Sequence, residues 1–110
     1  MIKNDKVFLK HILESIKHIK AYAKAADEKY FYKSVWMQDA IIRRIEIIGE
    51  AARNISEEYQ EAHREIEWSK IIGMRNYLVH EYFDIDLKLT WGTVQKDIPV
   101  LENQVKKLLK

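Results

Sequence analysis

Apolar residues recur every three or four positions through nearly all of this chain, and only three Gly and one Pro interrupt them. That period places side chains on one stripe of an α-helix, whereas a half-buried strand would need strict alternation. So few breakers also leave little room for the turns a sheet demands. An all-α bundle of about four to five helices follows. At 110 residues the chain has the length of one domain (1–110) with a real core.

The stripes set expected boundaries. From Asp5 to Ala26, the residues Leu9, Ile12, Ile16, Ile19, Ala23 and Ala26 form one apolar line, with lysines on the opposite face. Residues 27–33 show no clear period. Ser34 is a suitable N-cap for a second long helix reaching Asn54 or Ile55, buried through Met37, Ile41, Ile45, Ile48, Ala52 and Ile55. Beside that stripe, Asp39, Arg43, Glu46, Glu50 and Arg53 repeat at helical spacing with mixed sign, which suits an intrahelical ion-pair ladder or a row beside a functional cleft. Ser56 can cap a short helix to about His63, and a further helix begins near Trp68 or Ser69. Asp84 or Asp86 can cap the last helix. Its stripe of Leu87, Trp91, Val94, Ile98, Leu101, Val105 and Leu108 keeps phase across Pro99, as a kinked but continuous helix would.

Composition excludes several functions. With no cysteine there is no disulfide, thiolate metal site or cysteine nucleophile. The sequence has no long apolar run, signal-peptide core, glycine-rich phosphate loop or serine elbow, so a soluble cytoplasmic protein without a membrane is expected. The net charge of +2 is too small to mark a nucleic-acid binder by itself. Its distribution is uneven, because residues 1–33 hold eight Lys against four acidic residues. That could steer a polyanion, or form a solvated helix face.

The segment Arg75-Asn76-Tyr77-Leu78-Val79-His80-Glu81-Tyr82 concentrates a permanent cation, an amide, an imidazole and a phenol in about two helical turns. Arg offers a planar fork for phosphate oxygens, and His can exchange a proton near neutral pH without a metal. On a regular helix Asn76 and His80 share a face, but Arg75 and His80 lie about 140° apart. Both can reach one phosphate if the helix tightens or ends near His80, or if a groove admits both. Two copies of this helix meeting across a twofold axis would form such a groove. Two His80 side chains could then act as base and acid in RNA cleavage, with Arg75 stabilising charge and Asn76 in support. A plainer account pairs Arg75 with Glu81 or with an acid of the second long helix, and sets His80 against the helix dipole.

Other candidates are weaker. His11, Glu14 and His18 lie on the polar side of the first helix, but the two His stand about two turns apart, too far to share a metal. His63 reads as isolated and exposed. Trp36, Trp68 and Trp91 could stack on bases, although those at stripe positions belong in a core.

The Arg75-to-Tyr82 string, with its Arg, a polar residue, three more, His, any residue and Tyr, resembles the signature of the HepT-like branch of the HEPN superfamily. Ile48-Gly49-Glu50-Ala51-Ala52, Gly73-Met74 after Trp68, and Trp91 followed by Asp97-Ile98-Pro99-Val100-Leu101 strengthen it across residues 37–101. Glu67 departs from the pattern, since the family often has proline there. The resemblance implies a helical homodimer acting as a metal-independent RNase, the toxin of a toxin–antitoxin pair, with no cofactor. It further implies catalytic roles for Arg75 and His80, support from Asn76, and silencing by a minimal (MNT-type) nucleotidyltransferase that transfers AMP to Tyr82. A non-catalytic helical module that binds a nucleotide or docks such a partner is the rival reading.

Overall fold

The computed structural model describes residues 3–110. Among them there are seven α-helices and no strand: α1 (Lys3–Ala25), α2 (Glu28–Lys33), α3 (Val35–Arg53), α4 (Glu57–Ala62), α5 (Trp68–His80), α6 (Leu87–Gly92) and α7 (Ile98–Leu108). A π-helical turn, Thr93–Asp97, joins α6 to α7.

Helix α3 runs through the middle, packed on α1 on one side and α5 on the other, while α7 closes against α1. The core follows the stripes. Leu9, Ile12, Ile16, Ile19, Met37, Ile41, Ile45, Ile48 and Ala52 are buried, as are Val94, Ile98, Leu101 and Val105 of the last helical stretch. Asp5, at the start of α1, accepts hydrogen bonds from the backbone N–H (2.8 Å) and hydroxyl (2.8 Å) of Ser56, just beyond α3. Those bonds satisfy a buried carboxylate and fix α1 and α3 as antiparallel neighbours. Between α1 and α7, Lys20 Nζ donates to Glu102 Oε1 at 2.8 Å.

The caps behave as their side chains dictate. The Ser34 hydroxyl accepts from the Met37 N–H, Ser56 from Tyr59 and Asp86 from Leu89, each filling an orphan donor in the first turn of α3, α4 or α6.

Two departures from the sequence expectation have physical causes. Residues 28–33 form α2, a helix too short to display a period. It exists because Asp27 caps it, accepting from the Tyr30 N–H at 2.8 Å, and because Phe31 drives into the core against Trp91 with ring centroids 5.2 Å apart. The expected helix from residue 87 to 108 is a continuous helical path, but its irregularity lies before Pro99 and is a π turn, in which Ile98 donates to the carbonyl of Thr93. Pro99 brings no N–H and its ring would crowd the carbonyl four residues back, so a widened turn immediately upstream relieves both problems.

Candidate functional site

Helix α5 presents the Arg75-to-His80 segment. Its N-terminus has no side-chain cap at Glu67, and Trp68 anchors it instead by burying its ring and donating from Nε1 to the carbonyl of His63 at 3.0 Å. Only Trp68 and Leu78 of this helix are buried. Its C-terminus is pinned by Tyr77, whose hydroxyl accepts from the backbone N–H of Asp86 at 2.7 Å and draws the 81–85 connector back over the helix end.

Arg75 sits where α5 comes closest to α3. A Cβ on Gly49 would collide with Arg75 Cβ and stand 2.9 Å from its Cγ and 3.2 Å from the Ile71 carbonyl, so the two helices touch at a distance only glycine permits. The contact places the guanidinium beside the last turns of α3. Arg75 Nη2 lies 3.3 Å from Glu50 Oε2, and Nη1 donates to Asn76 Oδ1 at 2.8 Å. The side chain stays 21% exposed, in the wall of a pocket of about 410 Å³ lined also by His11, Arg43, Glu46, Asn54 and Val79.

The pairing with an acid of the second long helix is thus present, and it leaves Arg75 facing an open pocket. The mixed-charge row on α3 makes ladder contacts and also borders the pocket. Arg43–Glu46 (3.9 Å) and Glu50–Arg53 (3.7 Å) are long ladder contacts, and Arg43, Glu46 and Glu50 line the pocket.

His80 is the last residue of α5 and is exposed, outside that pocket. Asn76 is exposed too, and it is joined to Arg75 rather than to His80. Within one chain the structure therefore gathers Arg75, Asn76 and Glu50, and leaves His80 on another side of the helix, consistent with their angular separation of about 140°. Tyr82 lies in the turn after α5, 68% exposed, with its ring 4.5 Å from that of Phe83, itself 90% exposed.

The remaining candidates sort clearly. Trp68 and Trp91 are core residues, whereas Trp36 stands 69% exposed at the start of α3. His63 is neither isolated nor exposed. Its ring stacks on Tyr59 at 4.3 Å, and Nδ1 lies 3.5 Å from Glu65 Oε2, because the turn after α4 folds it back on that helix. Among the described residues no three His, Asp or Glu gather as a metal-ligand set. Sequence reasoning missed the Tyr77 clamp and the place of His11 in the pocket wall. The Gly49-Glu50 pair could have signalled the close approach, since glycine inside a helix usually has a packing reason.

The family model for HepT-like ribonucleases matches residues 12–108. A Methanocaldococcus jannaschii protein whose name joins a gamma-glutamylcyclotransferase to a candidate RNase is 47% identical over 109 residues, 99% of this chain and 49% of that protein. A candidate RNase of Caldanaerobacter subterraneus is 38% identical, covering 98% of this chain and 96% of its own length. A Thermococcus cleftensis protein named as a candidate HepT ribonuclease is 37% identical over the full length of both chains. This chain spans about half of the first of these relatives and nearly all of the other two. No solved structure matches it significantly.

Proposed function

Because the chain belongs to the HepT-like ribonuclease family, we propose that it is a single-domain, cytoplasmic RNA endonuclease, the toxin of a toxin–antitoxin pair, working without a metal or cofactor at a site shared between two copies. The observation that carries this reading is the division on α5. Arg75 is held beside an open pocket while His80 stands exposed on another side of the same helix. A second α5 across a twofold axis supplies the missing half of each constellation.

In that arrangement one His80 takes the proton from a ribose 2′-OH, and the oxygen attacks the neighbouring phosphorus. The bond to the 5′-oxygen breaks, and the partner's His80 protonates the departing oxygen. The products are a 2′,3′-cyclic phosphate and a 5′-hydroxyl. Arg75 offsets charge on the non-bridging oxygens, and Asn76 supports Arg75, to which it is hydrogen-bonded. Transfer of AMP to the exposed Tyr82 by a minimal nucleotidyltransferase would place a phosphate and a base two residues from His80. Charge repulsion and occlusion would both silence the site.

Incubating purified protein with RNA, with and without EDTA, tests the reading. Cleavage should persist in EDTA, and His80→Ala should lower it by about 10²- to 10⁴-fold, the usual worth of a general acid–base group, with the unfolding midpoint unchanged. Full activity in that variant overturns the assignment. The place of His80 outside the pocket that holds Arg75 favours a second reading, a helical module that binds a nucleotide or docks a nucleotidyltransferase without cutting. Binding of RNA without cleavage would select it.

A further inference from the structure

We infer that Glu50 is a positioning residue for Arg75, fixing the direction in which its guanidinium meets a phosphate. The inference rests on the ribonuclease reading and assigns a task to a carboxylate which that reading leaves idle. A phosphate-binding arginine beside a carboxylate is at first sight poorly placed, because the acid offsets the charge that should attract the substrate. Geometry resolves the conflict. A guanidinium has five N–H donors. Glu50 meets Nη2 and Asn76 accepts from Nη1, one contact each, so these two contacts leave three of the five N–H groups for a phosphate at the pocket.

Glu50 is itself restrained. Asn54 Nδ2 lies 3.4 Å from its Oε1 and donates to its backbone carbonyl at 2.8 Å, and Arg53 Nη1 stands 3.7 Å from Oε2, countering part of its charge. At the other end, the glycine contact with Gly49 fixes the stem of Arg75 at Cβ and Cγ. The arginine is thus held at its root by packing, and its tip meets Glu50, a half-exposed carboxylate, in an ion pair of 3.3 Å. An unheld arginine would lose side-chain entropy each time it engaged a phosphate. Held in advance, it has little left to lose when substrate binds.

The test is a double-mutant cycle of Glu50→Ala with Arg75→Lys, a variant that keeps the charge but loses the planar fork. Glu50→Ala should lower kcat on an RNA oligonucleotide by about 10- to 100-fold, the scale of a small misplacement of a reacting group, with KM changing about twofold at most. Glu50→Gln, which keeps the length of the side chain but removes the charge of the 3.3 Å ion pair, should recover little of the loss. In the Arg75→Lys background Glu50→Ala should cost almost nothing further. An equal loss in both backgrounds, or unchanged kcat in Glu50→Ala, overturns the proposal. A readout independent of catalysis separates its failure from failure of the ribonuclease reading. Rotation of the Arg75 guanidinium, followed by NMR at Nε, should be slow in the unaltered protein and fast in Glu50→Ala, and fast rotation in both refutes the positioning role.

Discussion

The α1–α3–α7 side of the molecule and the C-terminal half of α5 spend their sequence differently. On the first, every third or fourth side chain is apolar and buried, and the charged groups that enter, Asp5 and Glu102, arrive with partners. On the second, Leu78 is the one fully buried residue between Arg75 and Phe83, while Asn76, His80, Tyr82 and Phe83 face outward. The lesson is that α5 needs only one strip of contact with α3 to be held, which leaves its other sides uncovered.

The largest effect on stability should come from the packed side. Phe31→Ala empties a fully buried aromatic site against Trp91, and should destabilise the fold by about 3–5 kcal/mol in denaturant unfolding. A loss under 1 kcal/mol would mean that α2 is an ornament rather than a lid on the core. The seam between the two regions should respond less. Gly49→Ala forces a methyl group into Arg75 Cβ, and should cost about 1–3 kcal/mol through overpacking. It should also lower RNA cleavage, because α5 must shift away from α3 and take Arg75 with it. Unchanged activity in this variant would detach the close helix contact from the site.

The smallest effect sharpens the account of buried charge. Lys20, hydrogen-bonded to Glu102, holds that carboxyl below its ordinary value, with Lys106 assisting, against the opposing pull of burial. A depressed carboxyl favours the folded state above its unfolded pKa, and the gain is lost as pH falls through the folded value. Thermal unfolding should therefore show a steeper acid decline in the unaltered protein than in Glu102→Gln. Salt should blunt the difference, since Lys20 is about half exposed. Identical slopes would remove the pair from the stability of the α1–α7 contact.

Much of this was legible in the sequence because local rules wrote it. The stripes, the caps at Ser34, Ser56 and Asp86, and the burial of Trp91 all follow from periodicity and short side-chain contacts. Helix α2 was not legible, since six residues cannot establish a period and their order depends on a tertiary contact between Phe31 and Trp91. The π turn was also hidden, although Pro99 marked its neighbourhood.

At the site, the sequence alone determined that on a regular helix Arg75 and His80 point about 140° apart, and the structure shows α5 regular through His80. Only the tertiary structure decided what each would meet. Glu50 lies 25 positions before Arg75 and becomes its neighbour through the glycine contact between α3 and α5, a distance that no local pattern encodes. His80 stays exposed for the complementary reason, since the chain ends α5 there and packs nothing over it.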